Sequence, residues 1–156
     1  MRILEIEQLF QTEETLAQVI EKLSDDFARI DEYAEMAKSN VYATADKVSE
    51  VLIELSGCHS NLITVLGVAE SEKKNREQHK YSNIKIEFDN AAAVDEKGKL
   101  IKFTSTIAEK EASDFVSSYR RIRNIIKAYK DSCATSISVL QSVLKDLKKD
   151  YNSSTE

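Results

Sequence analysis

The feature that most constrains the fold is a long apolar row in the last third of the chain. Between Thr106 and Asp150, apolar residues recur at steps of three or four, the spacing of one face of an α-helix. The row consists of Phe115, Tyr119, Ile122, Ile126, Tyr129, Cys133, Ile137, Leu140, Leu144 and Leu147. No Pro or Gly interrupts the stretch, and Thr106 with Glu109 has the form of a capping box at its start. A helix of this length, about 66 Å, cannot bury the row against itself, so we expect partner helices from this chain or from copies of it.

The composition favours long helices over a compact β-sheet protein. The chain has 156 residues with no Pro and three Gly, and 31% of its residues are charged. It has no run of about 18 uncharged apolar residues, and Met1 is followed closely by Arg2 and Glu5, so we expect neither a membrane span nor a signal peptide. Cys58 and Cys133 both lie in apolar helical rows, which indicates buried, reduced thiols in a cytoplasmic protein.

The helical spacing predicts a single all-α domain over residues 1–156. Its segments are an acidic N-terminal helix in 1–40 (about Thr12–Ala37), a helix two in 44–83, a loop or hairpin in 84–105 and a long C-terminal helix in 106–150. Thr44 has the chemistry of an N-cap for helix two. We therefore expect an elongated helical hairpin or coiled-coil bundle of three long helices, which oligomerises.

Residues 84–103 allow two interpretations. Ile84–Phe88 alternates with period two, Leu100–Phe103 could pair with it, and Asp95–Gly98 carries turn chemistry between the two. A short β-hairpin is one interpretation. A polar loop, with helix two continuing through Phe88, is the other.

The charge is unevenly distributed along the chain. The net charge is −5, yet residues 1–35 hold ten acids and three bases, whereas residues 36–156 hold 17 acids and 19 bases. Between Phe115 and Lys130 there are five bases and no acid. This pattern argues against a general nucleic-acid coat but is compatible with a local strip that binds anions.

Two clusters of bases are the candidate binding residues. They comprise Lys73, Lys74, Arg76 and Lys80 in helix two, and Arg120, Arg121, Arg123, Lys127 and Lys130 in the last helix. Tyr81, Tyr119 and Tyr129 lie close by, and cations beside aromatic rings suit single-stranded nucleic acid through phosphate neutralisation and base stacking. A solvated outer face with a packing role for the tyrosines is the competing interpretation.

The apolar row itself is the candidate oligomer interface. The interface residues are Tyr119, Ile122, Ile126, Tyr129, Ile137, Leu140, Leu144 and Leu147. The chain carries none of the common phosphate-binding, hydrolase or metalloprotease motifs, and Cys58 and His59 are adjacent on a helix, so their side chains diverge. We therefore expect no enzyme activity, no cofactor and no metal.

Two blocks of the chain carry a family pattern. In Ala45–Asn83 the pattern consists of Leu55, His59-Ser60, Leu66, Glu70, Lys73-Lys74 and Tyr81-Ser82. In Ile107–Leu147 it consists of Ala108-Glu109-Lys110-Glu111, Tyr119, Cys133 and Lys145-Asp146-Leu147. Together the blocks cover about half of the chain and resemble the UvsY family of tailed-phage recombination mediators.

The resemblance implies a homo-oligomeric protein, assembled as a ring, that binds single-stranded DNA. It would help to load a recombinase onto DNA covered by a single-strand-binding protein, without catalytic residues. The family's DNA-contacting K-x-R element would fall on Lys74-Asn75-Arg76, whereas Gln78-His79 departs from the family's apolar–acidic pair. The alternative is a protein–protein interaction module without nucleic-acid binding: a coiled-coil scaffold, a prefoldin-like chaperone with its hairpin at 84–103, or an inhibitor of a host protein.

Overall fold

The described part of the chain folds entirely into helices and turns. The computed structural model describes residues 3–38, 44–91, 96–99 and 103–153, and within these ranges there are six helices and no strand. The helices are α1 (Ile3–Leu9), α2 (Glu13–Lys22), α3 (Ser24–Lys38), α4 (Ala45–Ala91), α5 (Ser105–Phe115) and α6 (Ser117–Ser153). The predicted all-α class is confirmed. The prediction of three long helices is wrong, because only α4 and α6 are long.

The two long helices, α4 and α6, form an antiparallel pair at the centre of the molecule. Near one end, the Arg76 guanidinium lies 4.7 Å from the centre of the Tyr119 ring. Further along, the Cys133 thiol donates to the Leu55 carbonyl at 3.2 Å. Contact positions therefore rise along one helix as they fall along the other. The apolar row of the last helix finds its partner within the same chain.

Helices α1–α3 form a layer, residues 3–38, on one side of this pair; we call it the N-terminal layer. Its buried side chains are Ile6, Leu9, Phe10, Leu16, Val19, Leu23, Phe27 and Ile30. On α6 it meets Tyr129, whose ring stacks on Phe27 with a centroid distance of 4.0 Å and whose hydroxyl donates to Asp31 at 3.0 Å. The layer thus covers one flank of the central pair and contributes much of the core.

The predicted continuous helix Thr12–Ala37 is wrong, because the chain breaks at Leu23. Thr12 does begin α2, since its hydroxyl accepts the Thr15 amide at 3.2 Å in a reciprocal capping box. At the break, the Ser24 hydroxyl donates to the Glu21 carbonyl at 2.6 Å and so competes for a backbone acceptor. Leu23 itself is fully buried, and its amide still donates to the Val19 carbonyl at 3.1 Å while its carbonyl accepts the Phe27 amide at 2.9 Å, so the break is slight.

Helix α4 begins as predicted but ends later than residue 83. Thr44 is confirmed as its N-cap, since its hydroxyl accepts the Lys47 amide at 3.3 Å. The helix continues to Ala91, so the predicted strand at Ile84–Phe88 is wrong and the alternative of a continuing helix is confirmed. Ile84 and Phe88 are half-buried while the three residues between them are exposed; this i, i+4 pattern outweighs the period-two alternation.

The remainder of the predicted hairpin is only partly described. Residues 100–102 of the proposed second strand lie outside the described residues, and Phe103 is in no strand. Residues 96–99 form a turn, in which Gly98 has a φ of 71°, a left-handed value that glycine adopts without a Cβ penalty.

The predicted last helix is divided in two at Val116. Helix α5 has Thr104, not Thr106, at its N-cap, so the proposed capping box is wrong. Val116 is fully buried, and across the break the Arg120 guanidinium donates to the Ser113 carbonyl at 2.9 Å. It thereby satisfies an acceptor that the end of α5 leaves without a helical partner. Because of the break, Phe115 leaves the apolar row and is 49% exposed.

By length and composition, α4 is the described helix that could cross a membrane, with an 18-residue window of mean hydropathy 1.4. Its residues Leu55, Leu62 and Val65 are fully buried inside the bundle. The core helix of a helical bundle passes the same test, so the window is weak evidence for a span.

Candidate nucleic-acid interface

The nine predicted binding residues are not equally available. Lys74, Arg121 and Lys127 are exposed, whereas the other six are half-buried. The half-buried residues are Lys73, Arg76, Lys80, Arg120, Arg123 and Lys130. The contacts of these residues, helix by helix, decide which cations could meet a ligand.

Arg76 is committed to the interior of the fold. One terminal nitrogen of its guanidinium donates to the carbonyls of Phe10 at 2.9 Å and Gln11 at 2.5 Å, just past the end of α1. The same group lies over the Tyr119 ring and 3.7 Å from the Glu72 carboxylate. Arg76 therefore ties the N-terminal layer to the α4–α6 pair, rather than standing on a surface as the K-x-R resemblance implies.

A second set of cations is neutralised by Glu77. Its carboxylate lies 2.6 Å from the Lys73 ammonium and 3.9 Å from the Arg120 guanidinium. The Lys80 ammonium lies 5.8 Å from the centre of the Phe115 ring. The two basic clusters do meet where α4 and α6 run side by side, but they meet around a carboxylate. The sequence already indicated this neutralisation, because Glu72 and Arg76, like Lys73 and Glu77, are spaced four residues apart.

Two cations of α6, Arg123 and Lys127, lie one turn apart on one face of the helix; we call them the open strip. Among the described residues, no carboxylate lies within 4 Å of either one. In that part of the chain, the Arg123 guanidinium donates to the amide oxygen of the neighbouring Asn124 at 2.6 Å and 3.2 Å. Within the described ranges Lys74 and Arg121 also lack a carboxylate within 4 Å, but each lies on a different face, so the open strip is the pair of adjacent cations that the fold leaves without an acidic partner.

The end of the open strip is marked by an ion pair. Lys130 lies 2.7 Å from the Asp131 carboxylate, and its hydrogen bond is the main cause that lowers the pKa of Asp131. Lys127 and His59 add to the same effect on Asp131, so α4 borders the strip on this flank. One turn along α4 from His59, Ile63 is 50% exposed.

The open strip and the N-terminal layer lie on different flanks of α6. The α6 residues that face the layer include Ile125, in a groove shared with Leu16 and Ile20, and Tyr129. Successive residues of a helix are rotated by about 100°, which places Arg123 and Lys127 well away from that flank. Arg121 lines the groove on the layer side, with Glu13, so it does not belong to the same face as the strip.

The tyrosines provide one candidate stacking ring. Tyr119 is 2% exposed, burial raises its pKa, and Tyr129 is covered by Phe27; neither can receive a base. Tyr81 is half-buried, in edge contact with Phe103. It lines an open groove of about 640 Å³ between α4 and α5.

The same groove holds the exposed cation of the K-x-R element. Its lining includes Lys74, Gln78 and Ser82 from α4 and Glu109 from α5, besides Tyr81. The groove thus offers a cation and an aromatic ring, which single-stranded nucleic acid can use, beside the carboxylates of Glu77 and Glu109. Lys74 is therefore the residue of this element that the fold leaves available.

The residues of the predicted oligomer interface are largely buried within one chain. Tyr119, Ile126 and Leu140 are at most 2% exposed, so a second copy cannot reach them in the folded chain. The other members of the set are partly buried and pack against the same core. They are Ile122, Tyr129, Ile137, Leu144 and Leu147. The row therefore serves mainly as part of the core of one chain.

The two thiols lie in the core. Cys58 is 4% exposed and Cys133 is fully buried, and burial raises the pKa of each to about 11. The Cys58 thiol lies 3.6 Å from an oxygen of Asp26, to which it donates. Within the described ranges, no group of three or more His, Cys, Asp or Glu side chains could hold a metal ion.

Comparison with known proteins does not extend these observations. No family model matches the chain, and no curated protein or solved structure shows a significant similarity to it. Any function must therefore be argued from the residues and their geometry.

Proposed function

We propose that this protein is a recombination mediator that binds single-stranded DNA and helps to load a recombinase onto DNA covered by a single-strand-binding protein. The observation that carries the proposal is the open strip, where Arg123 and Lys127 have no carboxylate within 4 Å in the part of the chain described. The role in recombination is inferred from the sequence resemblance to the UvsY family.

The groove beside Lys74 completes the proposed path of the strand. Lys74 and the open strip would neutralise phosphates, and the Tyr81 ring would stack against a base. The other five cations of the predicted set already have partners: Lys73, Arg76, Lys80, Arg120 and Lys130. Arg121 faces the N-terminal layer. We therefore assign only three cations to DNA.

Three neutralised phosphates set the expected salt dependence. Each contributes a slope of about −0.7 to the log–log plot of affinity against salt. Between ~50 and ~200 mM salt, the affinity for an oligonucleotide should then fall roughly 15- to 20-fold. The measurement is fluorescence anisotropy of a labelled single-stranded oligonucleotide.

The test is the double variant Arg123→Glu/Lys127→Glu. We expect it to lose binding by at least tenfold, while Lys145→Glu/Lys148→Glu keeps it. The control changes the net charge equally and alters exposed residues of the same helix. Equal losses in both variants would show a nonspecific charge effect and remove the open strip from the DNA site.

The mediator activity is tested separately. A phage-type recombinase is mixed with single-stranded DNA covered by a single-strand-binding protein, and its DNA-dependent ATP hydrolysis is followed with and without this protein. We expect a shorter lag with the wild type and no shortening with Arg123→Glu/Lys127→Glu. DNA binding without any effect on the lag would leave a simple DNA-binding protein.

A protein–protein interaction module is the second candidate. It is favoured by the engagement of most predicted cations in contacts within the fold and by the dense acids of the N-terminal layer. Its prefoldin-like form is disfavoured, since Ile84–Phe88 is helical. Absence of oligonucleotide binding at ~50 mM salt, where phosphate contacts are strongest, would select this candidate.

A further inference from the structure

The outer face of the N-terminal layer carries a row of exposed acids. Glu14, Glu21 and Asp25 are exposed, and among the described residues none of them lies within 4 Å of a Lys or Arg nitrogen. Together with Gln18 they follow one another at steps of four, three and four, so they share one face across the slight break at Leu23. We call these four residues the acidic row.

The acidic row cannot reach the open strip of its own chain. The layer is fixed on the opposite flank of α6 by the Asp31–Tyr129 hydrogen bond and by Arg76, which holds the end of α1. Each molecule therefore presents a negative face and a positive face that point in different directions. Like faces of two copies repel, whereas unlike faces attract.

The open strip matches one pair of acids in the acidic row. From Arg123 to Lys127 the rise along the helix axis is about 6 Å, and the same four-residue spacing separates Glu21 from Asp25. The strip of one copy can therefore face this pair of another copy over about one turn.

We propose that a second copy of this chain occupies the open strip, docking through its acidic row. The contact joins two different faces, so it is heterologous, and repetition of it builds a closed ring or an open chain according to the angle between copies. This interface differs from the apolar row, which packs mainly within one chain. It does not depend on the proposed DNA function.

One consequence does rest on the proposed function. If the open strip also binds phosphates, single-stranded DNA and a neighbouring copy compete for Arg123 and Lys127. Addition of oligonucleotide should then release copies from one another. Each open strip can hold either a neighbouring copy or DNA, but not both.

The test is sedimentation velocity of the full chain at about tenfold steps of concentration, in ~50 and ~200 mM salt. The contact is an ionic one on the surface, which salt screens. We expect species larger than the monomer at the lower salt, and at least tenfold weaker association at the higher salt. A monomer at every concentration, or association that salt does not weaken, would overturn the proposal.

Charge reversal identifies the faces. Arg123→Glu/Lys127→Glu makes the positive face negative, and Glu21→Lys/Asp25→Lys makes the negative face positive, so each variant alone should be monomeric. An equal mixture of the two should assemble again, since every contact between unlike variants is complementary. The matched controls, Lys145→Glu/Lys148→Glu and Glu111→Lys/Asp114→Lys, change exposed residues elsewhere and should assemble as the wild type does.

The outcomes separate this proposal from the DNA function. Restored assembly in the mixture supports the docking whether or not DNA is bound, and absence of restoration overturns it. Glu21→Lys/Asp25→Lys should still bind an oligonucleotide, because its open strip is intact. Loss of assembly in Arg123→Glu/Lys127→Glu with unchanged oligonucleotide binding would leave the docking standing and remove the strip from the DNA site. Circular dichroism of each variant confirms that it is folded.

Discussion

Replacement of Arg76 by methionine should loosen the N-terminal layer from the central helix pair. Methionine keeps an unbranched apolar stem over Tyr119 but removes the guanidinium. The carbonyls of Phe10 and Gln11 then lose their donor. The structure therefore gives Arg76 a role in stability, where the sequence resemblance gave it a role in DNA contact.

The magnitude follows from three contacts. Hydrogen bonds to a charged donor contribute about 1.5–3 kcal/mol each, and a cation over an aromatic ring about 0.5–2 kcal/mol. The two hydrogen bonds share one nitrogen, the contacts are not additive, and the side chain is 27% exposed. We expect the free energy of unfolding to fall by about 2–4 kcal/mol, near the upper range for a single substitution.

The assay is urea denaturation, with hydrogen exchange of the α1 amides as a local measure. Lys74→Met is the matched control, since Lys74 is exposed two positions earlier on the same helix and should change stability by less than about 0.5 kcal/mol. Under native conditions Arg76→Met should bind an oligonucleotide nearly as well as the wild type, whereas Lys74→Met should bind less well. Equal stability of the two variants, with binding lost only in Arg76→Met, would refute the reasoning.

Three further predictions concern the core. Ile126→Ala should lower the free energy of unfolding by about 2–5 kcal/mol, with an unfolding midpoint that does not depend on protein concentration. Val139 is 48% exposed, so Val139→Ala should cost little. A strong concentration dependence of the midpoint would instead identify the apolar row as a subunit interface. Tyr129→Phe should lower the free energy of unfolding by about 0.5–1.5 kcal/mol, measured by urea denaturation. Only the hydrogen bond from its hydroxyl to Asp31 is removed, and the ring still stacks on Phe27. A loss above about 3 kcal/mol would mean that the stack itself had been disturbed. The pKa of both thiols is raised from 9.0 to about 11, so the unfolded chain loses these protons at lower pH than the folded chain. The thiols' contribution to stability should be fully present below about pH 9 and decline as the pH rises toward 11. Unfolding midpoints across that range should decline less steeply in Cys58→Ala/Cys133→Ala, and an unchanged slope would exclude the thiols as the cause.

The fold class was predictable because it depends on the local spacing of apolar residues. Apolar residues at steps of three or four marked α4 and α6, and Thr44 marked the start of α4, since a cap is decided by residues within one turn. The breaks at Leu23 and Val116 were not predictable from spacing. Neither has Pro or Gly, and at each the side chain is fully buried, which is a property of the packed fold.

The candidate site was predictable only in part. The acid-free stretch of α6 could be found by reading charges along the chain. The availability of each cation could not, because its partners come from distant positions. Arg76 meets carbonyls 65 and 66 positions away, and Arg120 meets Glu77 from the other long helix.

The sequence by itself determined that this chain is helical, that its last third carries a continuous apolar face, and that acids and bases are segregated along it. Periodicity and composition are properties of neighbouring residues, so no fold was needed to state them. Only the tertiary structure decided that the apolar face is buried within one chain, that most cations are neutralised, and that the acidic row and the open strip face different ways. Those outcomes depend on which helix lies against which, and that is set by the packing of the whole core.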